Sequence, residues 1–332
     1  MDYELYQLDD CLTSGGQRMD LKLAYKQYGK LSAAKDNAIL VLTSYSGTHE
    51  DAEDIVADSN LLSLSDYWII VINMFANSLS SSPSNTPSPL DGPRFPLLTV
   101  HDNVMFQREF IEKQFGISTL ELVLGFSMGG LQTFEWGAQH PDMVRAILPI
   151  CGAAKVSPHN WLFLEGAKAA LTADQNYAGG DYVARPEAGF EAFCKVYAGW
   201  VFSQDFYREK LYQDMGMATL DDTIAFMRNY FGRRQVNDLL SMLATWQTAD
   251  ISANDRYDGD FEKALGAISA KAIVMPGETD LYFRVADSAY EVEHMPNAEL
   301  RVIPSKLGHV AGSGSDPLGK AEIDRAIMDL LS

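Results

Sequence analysis

Residues 121–130 read ELVLGFSMGG, and the fold of the chain follows from how that stretch is parsed. Leu122, Val123 and Leu124 form a short unbroken apolar run, the composition of a strand buried on both faces of a parallel sheet. Gly125-Phe126-Ser127-Met128-Gly129 follows at once, a G-x-S-x-G pentapeptide. Residues 131–140 then have helical composition and stop at Pro141. Strand, small-residue turn and helix together are the setting of a nucleophile elbow. The turn is too tight for bulky flanking side chains. It lifts the serine hydroxyl to a helix N-terminus, where free amides and the helix dipole favour developing negative charge. Ser127 is therefore the candidate nucleophile.

Upstream, residues 3–27 read as two alternating segments joined by a turn at Ser14, Gly15 and Gly16, which predicts an antiparallel hairpin. AILVLT at 38–43 and YWIIVINM at 67–74 are further strands, the first ending in a loop of small and polar residues, Ser44 to Gly47. The Ser/Pro-rich stretch 78–96 has linker composition. It lies between a core strand and a helix at 100–115, so an ordered loop over the sheet edge is the expectation.

Downstream of the elbow comes a strand at 146–151, and then the character changes. Helical segments at 159–172, 186–212, 220–231 and 235–250 succeed one another without a strand. This predicts an all-helical cap at 158–251 inserted into a core of 1–157 and 252–332. Alternation resumes with a strand at 272–275, a helix at 285–294, a strand at 300–303 and a helix at 316–331. The fold class is α/β, a mainly parallel sheet flanked by helices.

A serine hydroxyl needs an adjacent base that is itself held in place. In this architecture the acid comes first and the histidine second, each just past a strand. Asp280 follows the strand at 272–275, and His309 follows the strand at 300–303. Glu278 is the alternative acid if the first of these strands runs longer. Among the other histidines, His140 stands at a helix end, His159 and His101 open helices, and His294 lies on a late helix. His49 is in the loop after the first core strand, from which a side chain can reach a pocket. An oxyanion hole needs two backbone amides. Met128, directly after the serine, supplies one. Tyr45 is chosen for the other, with Ser44 and Ser46 its neighbours one place off.

Charge and composition exclude other classes. With 45 acidic against 26 basic residues the net charge is −19, which argues against nucleic acid and anionic membranes as partners. The N-terminus lacks the basic and apolar regions of a signal peptide, and no apolar run approaches the roughly 18–20 residues of a membrane span. Three scattered cysteines, Cys11, Cys151 and Cys194, make neither a disulfide framework nor a zinc site. A cytoplasmic location is expected, and no metal or organic cofactor is implied.

Several segments resemble the homoserine O-acetyltransferase family of the α/β-hydrolase superfamily: GFSMGGLQTFEWGAQHPDMVRAILPI at the elbow, AAKVSPHN, NYAGGDY, and the late GETDLYF and LGH. The resemblance implies an α/β-hydrolase core with a helical cap, an acyl-enzyme on serine and a homodimer formed through cap helices. Two departures bear on substrate. The family's aspartate after the catalytic histidine holds the substrate amine, and here that position is Val310. The cap arginine that holds the homoserine carboxylate corresponds to a position at or near Cys194, with Lys195 adjacent. A zwitterionic amino acid would find its charges without partners. The expectation is therefore an esterase cleaving short-acyl, acetate-type esters, with Tyr197, Trp200 and Val310 as substrate-binding candidates and Val201, Phe202 and Trp246 beside them. The alternative is an O-acyltransferase that uses acetyl-CoA on an alcohol other than homoserine.

Overall fold

A computed structural model of the chain describes residues 2–52 and 66–332. The strands among them form one eight-stranded sheet: β1 (Glu4–Leu12), β2 (Arg18–Gly29), β3 (Ala38–Leu42), β4 (Trp68–Ile72), β5 (Leu122–Phe126), β6 (Ala146–Ile150), β7 (Lys271–Val274) and β8 (Ala298–Leu300). Their order is β1-β2-β4-β3-β5-β6-β7-β8. β1 and β2 are the expected antiparallel hairpin, β2 meets β4 antiparallel, and every pair from β4 to β8 is parallel. The alternation along β3 shows why this sheet must be covered on both sides. Leu40 and Leu42 pack with Leu23, Ile70 and Val123 on one face, and Ile39 and Val41 pack with Ile69, Val71 and Leu124 on the other.

The helices that lie wholly among the described residues are α1 (Val100–Phe110), α2 (Met128–Gln139), α3 (Pro158–Thr172), α4 (Glu187–Val201), α5 (Gln204–Arg208), α6 (Leu220–Phe231), α7 (Val236–Gln247), α8 (Phe261–Gly266), α9 (Val285–Glu293) and α10 (Pro317–Leu331). The chain from β6 to β7 carries α3 to α8 and no strand. The stretches just before α3 and just after α7 lie side by side: Lys155 and Asp250 form an antiparallel bridge and an ion pair of 2.7 Å. A long segment can leave and re-enter the core there without stretching the sheet.

Some boundaries differ from the sequence reading. The single helix expected at 186–212 is broken. Phe202 is extended, and the Ser203 side chain accepts from Phe206 N to start α5, so a serine N-cap restarts the helix instead of continuing it. The strand expected at 300–303 is β8, shifted to Ala298–Leu300. Ile303 pairs only through an isolated bridge to Gly277, next to Pro276, which has no N–H to return. α1 ends at Phe110 in a wider turn, Ile111–Phe115, closed by Gly116 at φ 64°. The short helix α8 was not anticipated.

The Ser/Pro stretch is an ordered loop because it is tied down. The buried Asp238 carboxylate in α7 accepts from Ser78 Oγ and Ser84 Oγ, both at 2.6 Å, and from Ser84 N at 2.9 Å.

Candidate active site

β5 ends at Phe126 and α2 begins at Met128, so Ser127 alone makes the turn. It does so at φ 59°, ψ −120°, a conformation costing a non-glycine residue about 1–3 kcal/mol. The surroundings hold it there: Ser127 N donates to Ile150 O at 2.9 Å, and Leu131 N donates to Ser127 O at 3.1 Å. The motif glycines are required by contact. A Cβ on Gly125 would stand 2.5 Å from the carbonyl of Gly129, and one on Gly129 would stand 2.3 Å from Leu42 O. Any side chain at either position would push α2 off the sheet.

Asp280 lies in the loop after β7, and His309 in a 3-10 turn, Gly308–Ser313, beyond β8. Both are buried, as is Ser127, while Glu278 is exposed. His309 Nε2 lies 2.8 Å from Ser127 Oγ, and His309 Nδ1 lies 2.7 Å from Asp280 Oδ2. The other carboxylate oxygen accepts from Tyr282 N at 2.7 Å and Phe283 N at 3.3 Å. A carboxylate can only accept, so Nδ1 carries the imidazole proton and Nε2 is left to accept from the serine hydroxyl. Rings fix the imidazole plane: Phe126 stacks on it at 4.7 Å and Tyr282 meets it edge-on at 4.8 Å.

These residues open onto a cavity of about 240 Å³. Ser127, His309, Tyr45, Tyr197 and Val310 line it, and Thr43, Tyr230, Phe231, Trp246 and Tyr282 contribute to the wall. It reaches solvent where Phe226 and Ser315 are exposed. Among the described residues that line it there is no lysine or arginine, and Asp51 is the carboxylate, paired with Arg233 at 2.9 Å. Burial holds the Tyr45, Tyr197 and Tyr282 hydroxyls well above the usual phenol range, so they stay neutral. Tyr282 Oη and Trp246 Nε1 are buried without a partner among the described residues, the kind of donor that an ordered water or a ligand oxygen satisfies.

The remaining sequence candidates fall as follows. The side chain of Met128 is buried behind the elbow, and neither its amide nor that of Tyr45 donates to an acceptor among the described residues. Trp200 does not line the cavity. It stacks in parallel on Tyr282 at 6.5 Å and packs on Phe163, so it backs a wall residue instead of forming the wall. Cys194 is wholly buried away from the cavity. His49 is also buried away from it, with its ring against Asn73. Sequence reasoning missed Tyr282, Phe283, Tyr230 and Phe231. For the first two a signal existed, since they stand two and three residues after the acid.

Two groups of potential metal ligands occur among the described residues: Cys151 with Asp280 and His309, and Asp2 with His49 and Glu50. In the first, Asp280 and His309 are already bonded to each other, and burial pushes the Cys151 thiol well up, so it stays protonated. In the second, Asp2 is exposed and engaged by Lys26 at 2.8 Å. In each group, part of the donor set is already committed to a protein partner.

Comparison with known proteins agrees with the fold. A family model described as the alpha/beta hydrolase fold matches residues 37–312. The chain is 38% identical over 314 residues to an ethyl acetate hydrolase of Pseudomonas veronii, covering 93% of this chain and 89% of that protein. The solved structure of the acetyl esterase MekB superposes with a TM-score of 0.96 at 37% identity, covering 99% of this chain and 96% of that one. A homoserine O-acetyltransferase of Chlorobaculum parvum stands further off, 26% identical over 314 residues, with 90% of this chain and 87% of that protein covered. With a serine on a strand-to-helix turn, at the carboxyl edge of a mostly parallel sheet, and a family match over most of its length, the chain belongs to the α/β-hydrolase fold family.

Proposed function

We propose that the protein is a carboxylic ester hydrolase acting on short-acyl, acetate-type esters, with Ser127, His309 and Asp280 as its catalytic triad. The observation that carries this reading is the continuous chain from Ser127 Oγ through His309 to Asp280 Oδ2, at 2.8 and 2.7 Å. His309 takes the hydroxyl proton as Ser127 attacks the ester carbonyl, and Asp280 stabilises the imidazolium that forms. The Met128 and Tyr45 amides receive the oxyanion. His309 then protonates the departing alkoxide, and water activated by the same imidazole releases the acid from Ser127. The segment 158–251 acts as a cap over this site: Tyr197, Phe231 and Trp246 supply cavity wall that the sheet cannot.

A small apolar cavity with no cation among its described lining residues suits a neutral ester and gives a carboxylate such as that of homoserine no partner among them. The similarity to esterases in the relatives at 37–38% identity supports the same choice. Acetyl transfer from acetyl-CoA to an alcohol would use the same triad, and it draws on the more distant acetyltransferase relative. Ser127→Ala is expected to lose at least about a thousandfold in kcat on p-nitrophenyl acetate while melting like the parent. Mass spectrometry of the parent, quenched during turnover, should find the acetyl group on Ser127. Retention of full activity by Ser127→Ala would rule the reading out. Product analysis with acetyl-CoA and added alcohols decides between hydrolysis and transfer.

A further inference from the structure

The turn Ser44–Gly47 carries four carbonyl oxygens, and each has a donor. Gly47 N donates to Ser44 O at 2.9 Å, Tyr230 Oη to Tyr45 O at 3.1 Å, Arg234 Nη2 to Ser46 O at 2.9 Å, and Asn77 Nδ2 to Gly47 O at 3.1 Å. The Tyr45 amide, by contrast, is left without an acceptor among the described residues. Two of the four donors come from the helical segment: Tyr230 from α6, and Arg234 from the link between α6 and α7. Another tie runs the opposite way, from Tyr45 Oη to Leu239 O in α7 at 3.2 Å.

This restraint has something to hold. Ser46 sits at φ 61°, a left-handed conformation that a residue with a Cβ adopts at a cost. Arg234 is only 7% exposed, and its Nε has no partner among the described residues. Keeping a guanidinium buried is expensive unless its remaining contacts matter. Peptide units are planar, so the Tyr45 N–H shares its plane with the Ser44 carbonyl, which Gly47 N holds, and only the two torsions at the Tyr45 Cα join that plane to the next. Holding the Tyr45 carbonyl and its phenol restricts those torsions, and with them the direction of the Tyr45 N–H.

We propose that Tyr230 and Arg234 are positioning residues: by holding the Tyr45 and Ser46 carbonyls they aim the Tyr45 amide at the oxyanion, so that the helical segment completes transition-state binding by the core. The inference rests on the reading of Ser127 as nucleophile and Tyr45 as oxyanion donor.

Tyr230→Phe keeps the ring and deletes one donor. Arg234→Met deletes the other, and Arg234→Lys returns a donor to Ser46 O. With p-nitrophenyl acetate, kcat should fall about 10- to 100-fold in Tyr230→Phe and Arg234→Met with KM within about threefold, and recover in part in Arg234→Lys. Binding of 1,1,1-trifluoro-2-butanone, whose adduct on Ser127 bears an oxyanion, should weaken by the same factor. The pH profile should keep its shape. Unchanged kcat and ketone affinity in both variants would overturn the inference, as would a rise in KM that accounts for the whole loss. Tyr230→Phe decides the matter alone if Arg234→Met does not fold. An active Ser127→Ala sinks the triad reading and this one with it. An inactive Ser127→Ala beside fully active Tyr230→Phe and Arg234→Met sinks this one only.

Discussion

The carboxylate of Asp280 is committed on both oxygens, one to His309 Nδ1 and the other to the amides of Tyr282 and Phe283. Those amides cannot reverse polarity, so they hold the carboxylate in one orientation and leave Oδ2 to select the imidazole tautomer. In Asp280→Asn the side-chain oxygen should stay with the two amides, turning the NH₂ toward His309 and forcing the wrong tautomer. The expected result is a loss of about 10³- to 10⁴-fold in kcat with little change in KM or melting temperature, read from steady-state kinetics and calorimetry. The residues proposed as nucleophile, base and acid could be singled out in the sequence because each follows a short apolar run in the order that this architecture imposes. Tyr230 and Arg234 could not. They reach Tyr45 and Ser46 across 185 and 188 positions, and no local spacing encodes such a contact. Trp200 and Tyr282 look alike in composition, and only packing decides which faces the cavity.

Helix α9 shows a different kind of constraint. Glu291 is 2% exposed, with Oε1 accepting from Ala154 N at 2.6 Å and Oε2 unpartnered. Burial pushes its carboxyl up to about 8, so the native chain keeps a proton that the unfolded chain gives up near the usual 4.5. The stability this contributes is complete below pH 4.5 and is lost as pH rises toward 8. Glu291→Gln mimics the protonated form and should melt like the parent near pH 4.5. By pH 9 it should be the more stable protein by about 2–4 kcal/mol, as followed by thermal melts across the range. Among elements, the alternation of strands and helices could be read from period and composition, since buried strands and capped helices differ over five or more residues. The break at Ser203 and the shift of β8 could not. Each turns on one residue, a serine hydroxyl that found a helix amide and a proline that lacked one.

At the scale of the molecule, the proposed function makes the cavity between sheet and helices the place where acyl length is selected. With about 240 Å³ and mostly apolar walls, it has room for an acyl chain of a few carbons. The kcat/KM for p-nitrophenyl esters should fall at least about tenfold from acetate to hexanoate. Met215→Ala, which trims the wall, should relax that preference toward longer chains by about two- to fivefold, measured on the same ester series.

The joined side chains lie far apart in the chain, 182 positions from Ser127 to His309 against 29 from Asp280 to His309. Closing so large a loop is a slow step, taken after local helices have formed. A refolding sample is therefore expected to regain its circular dichroism before its turnover. Catalytic turnover, and not circular dichroism, is the gauge of when such a preparation has finished.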